Sequence, residues 1–469
     1  MKGPMKAPTT SLTSILVHEL RLLTRSRLSL YALVLLALLA SLAVWSGMRE
    51  VARQHATIAR LAPLHEQNVA ALATDLVRSG DAGYAAYYTP HHTWDSPSTA
   101  AFMALGQRDV APYVLRVRAL GLQAQLYEGE TFNPELALPG RFDYAFVLIY
   151  LAPLFVIALL HDLVSGERES GRLRMLQAMP GTVTRIWWRR VALRFALVLL
   201  CLAVPLAVGA ALSSSGAALA SAAVVVSALY IAFWFGLSLA VAGLGWSSVS
   251  SATTLMTSWA MLTLLLPALA NLALTRALPV SQGVDLMMAQ REQVHGAWEV
   301  PREATMQKFF VTHPEWKDTP PLPIAFHWKW YFAFHQLGDE SVAPQAQAYR
   351  DGLLARQDWT AKLGWLLPGV GAQGVLHRMA HTDLQAQLAY QDRIAAFHKT
   401  VRTFYYPYIF NEQPFTAADV ASQPRFVADS AAPVATTSML GAPLLLALLA
   451  MAAGAFGLGR RSTKGGSAG

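Results

Sequence analysis

Six apolar stretches, each close to the length of a membrane-crossing helix, constrain the fold of this chain more than any other feature of its sequence. They occupy residues 28–46, 144–161, 191–212, 217–244, 251–272 and 439–459. A helix needs about 20 apolar residues to cross the hydrocarbon core of a bilayer. Only 14% of the residues are charged, whereas soluble domains have about 25%. We therefore predict a mainly α-helical membrane protein with six transmembrane helices.

The excess positive charge lies on one side of these predicted helices. Residues 1–27, 162–194 and 460–469 together carry fifteen Lys and Arg against four acids, a net charge of +11. Residues 47–142 carry eight Arg against nine acids, and residues 273–438 carry fourteen Lys and Arg against fifteen acids. Because loops rich in Lys and Arg stay in the cytoplasm, both termini are expected there. The net charge of +8 comes with no nucleic-acid-binding motif, so nucleic acid is not an expected partner.

Apart from two short connections at 213–216 and 245–250, the predicted helices leave five segments of the chain. Residues 1–27 are predicted to form an amphipathic helix in the cytoplasmic interface of the lipid bilayer. Residues 47–143 and 273–438 are predicted to form two largely helical extracytoplasmic domains, since helical periodicity dominates both. Residues 162–190 form a cytoplasmic loop, and residues 460–469 a cytoplasmic tail. The first apolar stretch is interpreted as an uncleaved anchor, with a cleaved signal peptide as the alternative.

The cytoplasmic loop has a local order that a simple topological anchor does not need. It reads Glu167, Arg168, Glu169, Ser170, Gly171, Arg172 and Leu173 directly after the second predicted helix. Membrane sidedness explains the arginines of this loop but does not explain the order of its residues. The acidic-basic-acidic triplet followed by a small residue and glycine favours a specific contact with a partner.

No catalytic signature accompanies this loop. The sequence has no phosphate-binding G-x-x-x-x-G-K-[ST] loop, no H-E-x-x-H and no G-x-S-x-G. Eleven of the thirteen histidines lie in the two long segments. His377 and His381 are spaced to share one face of a helix, which makes them weak candidates for a metal site, although no third ligand is evident.

Two aromatic clusters, at residues 326–334 and 404–410, are the other distinctive feature of the second long segment. Tryptophan and tyrosine near a membrane commonly form an interfacial belt. Packing in the core of the helical domain explains the clusters equally well. A groove for an amphipathic cargo is a third interpretation.

The ordered loop and the six predicted helices together resemble the permease subunit of a type-2 ABC exporter. In that family the acidic-basic-acidic triplet, a small residue, glycine and a leucine-rich stretch begin the coupling helix, matched here by Glu167 to Leu173, Leu176 and Pro180. The usual threonine after the glycine is Arg172. The resemblance implies that the loop docks on a separate ATPase subunit, which holds the ATP and Mg²⁺. It also implies a second permease copy and no catalytic residues or bound cofactor on this chain.

The resemblance extends to a subfamily with large extracytoplasmic insertions after the first and fifth transmembrane helices. The matching positions are Gly106 to Asp109 with Pro112, Asn133 with Pro134, and Gly140, Asp143 and Phe146. It implies a multi-pass protein of the bacterial inner membrane.

Three functions follow as hypotheses. The first is an exporter permease driven by the separate ATPase, and the second is a non-transporting device that passes ATP-driven motion to a periplasmic partner. The third is a membrane-anchored metal-handling protein.

Overall fold

The computed structural model describes residues 19–23, 26–126, 140–178, 183–280, 283–323, 326–428 and 437–464. This part of the chain contains six helices that are long and apolar enough to cross a membrane, which indicates a multi-pass membrane protein. We call them spans 1 to 6. Spans 1, 3, 4 and 6 are Arg27–Ala59, Val183–Leu212, Ala217–Leu244 and Gly441–Lys464. Spans 2 and 5 each contain a π-helical turn. Span 2 consists of Tyr144–Phe146, the π-helical turn Val147–Leu151 and Ala152–Leu160. Span 5 consists of Ser248–Ala260, the π-helical turn Met261–Leu265 and Leu266–Ala277.

Several helices begin or end at residues other than those predicted from the sequence. Span 4 has the predicted limits, 217–244. Span 1 runs well past the predicted end at residue 46, and span 3 begins at Val183, so the last part of the predicted loop 162–190 is helical. Span 6 continues into the predicted tail as far as Lys464. Of the predicted interfacial helix at 1–27, residues 19–23 are helical, whereas residues 1–18 and 24–25 lie outside the described part.

Spans 4 and 6 pack with their backbones in contact, and glycines make this possible. A Cβ atom added at Gly236 would lie 2.3 Å from the carbonyl carbon of Ala450. A Cβ at Gly243 would lie 2.6 Å from the Cα of Gly457. Small residues commonly allow such close packing between membrane helices. The side chains of Trp234 and Leu239 on span 4 are fully buried in the core that the spans share.

The two long segments, which we call insertion 1 (47–143) and insertion 2 (273–438), are mainly helical, as predicted. Apart from the end of span 1, the α-helices of insertion 1 are Leu61–Ser79, Ala82–Tyr88 and Gln123–Leu126. After the end of span 5, those of insertion 2 are Gly283–Gly296, Arg302–Thr312, Trp328–Leu363, Pro368–Ala380, Leu384–Phe410 and Ala417–Ala421. Strands His91–Trp94 and Val114–Val117 pair antiparallel, with His91 opposite Val117. Asp81 and Asp383 cap two of the helices by accepting hydrogen bonds from Gly83 N and Ala386 N.

The two insertions pack together as one body, whereas the sequence predicted two domains. One hydrophobic cluster contains Ala85 and Ala119 of insertion 1 together with Phe332 and Tyr405 of insertion 2. Both aromatic segments contribute to this cluster, and Trp330 and Phe410 are almost completely buried. Core packing is therefore the correct interpretation for these aromatic side chains. We call this unit the insertion body.

Helix Pro368–Ala380 joins the insertion body to the spans. Leu376, Met379 and Ala380 are buried in the same hydrophobic cluster as Tyr230 of span 4. Trp259 of span 5 donates a hydrogen bond from Nε1 to Tyr150 O of span 2 (3.1 Å), which fixes neighbouring spans below this helix. The sequence did not predict helix 368–380 as a separate element.

Candidate functional site

The predicted coupling segment folds as two short helices at one end of the span bundle. Ser165–Glu169 follows span 2 directly, and Arg172–Ala178 runs on toward span 3. Gly171, between them, has a φ of +76°, which favours glycine. Residues 179–182 lie outside the described part of the chain. We call this end of the bundle the loop face, and Glu167, Arg168 and Glu169 the triplet.

Glu167 connects the segment to the start of span 3. Its carboxylate accepts hydrogen bonds from Arg172 Nε (2.7 Å) and from Arg190 Nη1 (2.8 Å). Arg190 also lies 3.4 Å from a carboxylate oxygen of Glu19 in the helical residues 19–23. A carboxylate paired with two guanidinium groups stays ionised and fixes both side chains.

Arg168 and Glu169 connect the same segment to the turn between spans 4 and 5. Arg168 Nη2 donates to Trp246 O (2.9 Å), and its Nη1 donates to Gly245 O. Gly245 ends span 4 with a left-handed backbone conformation. Glu169 accepts from both the backbone N and the Oγ of Ser248 (2.8 Å each), the first residue of span 5. The triplet thus binds spans 2, 3, 4 and 5 into one unit.

Arg168 and Glu169 are exposed, and so are most of the residues that follow the triplet, whereas Glu167 is partly buried. Ser170, Gly171 and Arg172 are exposed, as are Arg174 and Met175. Leu173 and Leu176 instead pack against the core of the spans. We call residues 170–175 the tip. Of the predicted contact residues Glu167 to Leu173, Glu167 and Leu173 are partly buried, whereas the other five are exposed.

Arg174 and Met175 were not singled out by the sequence analysis. The side chain of Met175 is 64% exposed on a helix whose leucines are packed inward. Leu173 and Leu176 are three residues apart, and this helical spacing was the available signal that the intervening side chains point outward. An exposed methionine beside an arginine is typical of an adaptable protein contact.

The weak metal candidates do not gain a third ligand. His377 is buried on helix 368–380, and His381 ends that helix in a left-handed conformation with a φ of 56°. The described residues contain no group of three or more His, Cys, Asp or Glu side chains placed to hold a metal ion.

Residues 105–109 form a junction between the spans and both insertions. Gln107 N donates to Thr382 O (2.8 Å), and Leu105 N donates to Asp143 Oδ2 (2.8 Å) at the start of span 2. The other carboxylate oxygen of Asp143 caps this span by accepting from Phe146 N (2.9 Å). Burial of Asp143 disfavours its charged form and raises its pKa to about 6.

The same junction holds span 1. Arg108 is buried and donates to Gln54 Oε1 (2.9 Å) on the extended end of span 1 and to Asp95 of insertion 1. Asp109 and Glu50 both pair with Arg141. These contacts give a structural role to Gly106–Asp109, Asp143 and Phe146, the positions that carried the subfamily resemblance. Asn133 and Pro134 lie outside the described residues.

Four buried side chains of insertion 2 hold residues 118–123 of insertion 1, and we call these four the clasp. They are His335, Asp339, His398 and Arg402. Arg402 Nη2 donates to Leu120 O and to Asp339 Oδ2 (2.8 Å each). Asp339 also accepts from Leu122 N (2.8 Å) and Gln123 N (3.1 Å).

The two clasp histidines complete this arrangement in their neutral form. His335 Nδ1 accepts from Gly121 N (3.2 Å), and His398 Nε2 lies 2.8 Å from Leu120 O, as its donor. Burial disfavours the imidazolium form, and the nearby Arg402 disfavours it further. The pKa of His335 is lowered to about 3, and the pKa of His398 also falls well below its usual value.

Comparison with known proteins identifies one related region. Residues 285–429 match a family described as a domain of unknown function, DUF3526. This range covers most of insertion 2, including all four clasp residues and helix 368–380. No curated protein and no solved structure matches the chain.

Proposed function

We propose that this protein is the transmembrane permease subunit of an ATP-driven ABC transporter of the exporter type. In this proposal the chain lies in the inner membrane of a bacterium with both termini in the cytoplasm, and the loop face is cytoplasmic. A separate ATPase subunit binds ATP and Mg²⁺ and docks on the tip. A second copy of the chain, or a homologous permease, completes the transporter.

The observation that carries the proposal is the attachment of the triplet, directly before the tip, to four spans at once. Glu167 pairs with Arg190 of span 3, and Arg168 and Glu169 bind the turn between spans 4 and 5. A partner that pushes on the tip therefore moves these spans together, which is the rigid-body motion that coupling requires. A loop that served only to anchor the chain in the membrane would not need these contacts.

A second candidate function is mechanical transmission to a periplasmic partner without transport. It is favoured by the continuity between the spans and the insertion body. Span 1 is one helix from Arg27 to Ala59, and Gln54 near its far end binds Arg108 of the junction. Helix 368–380 packs on spans 4 and 6. Accumulation of a small-molecule or peptide cargo in a deletion strain would favour export, whereas unchanged cargo with a misregulated periplasmic protein would favour transmission.

Both candidates require an ATPase at the tip, and co-purification tests this. We expect an ATPase to copurify with the tagged full chain. Arg174→Glu and Met175→Asp should each reduce the recovered ATPase by about tenfold or more, because central contact residues dominate such interfaces. Both side chains are exposed, so thermal stability should be unchanged.

Arg276→Glu provides a matched control, because Arg276 is an exposed arginine at the opposite end of span 5. It should leave the recovered ATPase unchanged. If the tip variants retain as much ATPase as the unmodified chain, docking at the tip is refuted. If the unmodified chain recovers no ATPase, both candidate functions fail.

A further inference from the structure

A cavity of about 590 Å³ opens at the loop face, beside the triplet. It lies among residues 19–23 and 26–29, the end of span 2, the segment around the triplet and the start of span 3. Its lining combines three arginines with three carboxylates and a leucine-rich border. These residues are Arg172, Arg190, Arg194, Glu19, Asp162, Glu167, Leu22, Leu28 and Leu193.

Arg194 is a half-buried arginine within span 3. Its Nη1 donates to Leu159 O (2.6 Å), but Arg194 forms no ion pair with any described carboxylate. Asp162, Glu19 and Glu167 attract it only from a longer distance. A charged side chain within a spanning helix is costly unless an opposite charge or water compensates it. The cavity beside Arg194 provides room for an anionic group.

The rest of the cavity identifies the kind of anion. Leu28 is 68% exposed and Leu22 is 40% exposed, so the border is apolar where the cavity meets the surface of the spans. The carboxylates of Asp162 and Glu19 would repel a ligand with only negative charge and would attract an ammonium group. The cavity lies at the ends of the spans, where phospholipid headgroups meet a membrane protein.

We propose that this cavity binds the phosphoethanolamine headgroup of a phospholipid from the adjoining leaflet. Arg194 and Arg190 bind the phosphate, since guanidinium groups match phosphate geometry. Asp162 and Glu19 accept hydrogen bonds from the ammonium group, and the acyl chains lie along the leucines of the border. The inference does not depend on the proposed function, because it requires neither an ATPase nor a particular orientation in the membrane.

Native mass spectrometry of the full chain in detergent tests this site. The delipidated protein is titrated separately with phosphatidylethanolamine, phosphatidylcholine and phosphatidylglycerol. We expect one phosphatidylethanolamine to bind most tightly, because the trimethylated ammonium of phosphatidylcholine cannot donate hydrogen bonds. Arg194→Gln should weaken this binding by about tenfold or more, the usual effect of losing a charge-assisted hydrogen bond. Arg174→Gln, which changes an exposed arginine outside the cavity, should have no effect.

Asp162→Asn provides a second variant that tests recognition of the amine. Asp162 is exposed, so this change should preserve the fold while removing the preference for phosphatidylethanolamine over phosphatidylglycerol. Equal binding of all three lipids, or equal binding by Arg194→Gln and the unmodified chain, would show nonspecific surface lipid and overturn the proposal. Soluble phosphoethanolamine or inorganic phosphate that displaces the lipid at equal concentration would assign the cavity to a soluble ligand, which also overturns it.

Discussion

Replacing Arg402 with alanine should separate the two insertions by removing the central cation of the clasp. Arg402 binds Asp339 Oδ2 and Leu120 O at 2.8 Å each and Ala119 O at 3.2 Å. The arginine and aspartate side chains of this ion pair are only 8% and 11% exposed. Removing one partner of a buried pair leaves the other charge uncompensated and costs about 3–5 kcal/mol. Asp339 keeps its two backbone donors, and the adjacent cleft of about 660 Å³ admits water, so we expect about 3 kcal/mol.

The loss should appear as a lower unfolding temperature of the insertion body. For a domain of about 150–250 residues, 1 kcal/mol shifts the midpoint by about 2–4 °C, which predicts a decrease of about 6–12 °C. Thermal unfolding of the full chain in detergent, followed by tryptophan fluorescence, measures it. Buried Trp330 lies in the core that both insertions share, so its emission should report their separation.

Arg350→Ala is the matched control, since it breaks an ion pair between the same two helices. Arg350 donates to both carboxylate oxygens of Asp392 at 2.7 Å, but these side chains are 29% and 59% exposed. Exposed pairs contribute about 0–1 kcal/mol, so the midpoint should fall by less than about 4 °C. Equal shifts in the two variants, or no shift in Arg402→Ala, would refute the reasoning from burial.

Two further predictions concern pH and helix packing. His335 and His398 are neutral when folded, with the pKa of His335 near 3, whereas the unfolded chain binds protons near 6.5. The contribution of the two neutral histidines to the free energy of unfolding should therefore be fully present above pH 6.5. It should decrease as the pH falls from 6.5 toward 3, by at most about 1.4 kcal/mol per pH unit for each histidine. Thermal-unfolding midpoints measured from pH 8 to pH 5 should show this pH dependence, and His335→Gln should reduce it. An identical pH dependence in the variant would contradict its assignment to His335. Gly236→Val should lower the melting temperature of the spans, because the added side chain would meet the backbone of Ala450. Gly459→Ala should leave this temperature unchanged, because open space surrounds the added atom. Equal effects of the two variants would count against backbone contact between spans 4 and 6.

Local sequence patterns were sufficient to predict the spans and most helices of the insertions. Apolar length alone located span 4 at Ala217–Leu244. Helix Pro368–Ala380 was missed because it contains Gly369, Gly371 and Gly374 in its first half, and glycine is a poor helix former. Its partners on the spans are distant in sequence.

The candidate site was only partly predictable, because its contacts also join residues that are distant in sequence. The order Glu167, Arg168, Glu169 indicated a special segment, but the sequence could not show that Glu169 binds Ser248, 79 residues later. The docking role of Glu167 to Leu173 stays a prediction, and the structure exposes Arg174 and Met175 directly after this segment.

The sequence by itself determined that the chain has six long apolar helices, an uneven distribution of charge and two large helical insertions. These properties depend on composition and periodicity, which each segment carries independently of the others. Only the tertiary structure decided that the insertions form one body and that the triplet contacts span 3 and the turn between spans 4 and 5. Those features depend on pairs such as Arg402 with Asp339, and Arg168 with Gly245 and Trp246. Such pairs join residues far apart in the chain, and burial and hydrogen-bond geometry select them only when the whole fold brings them together.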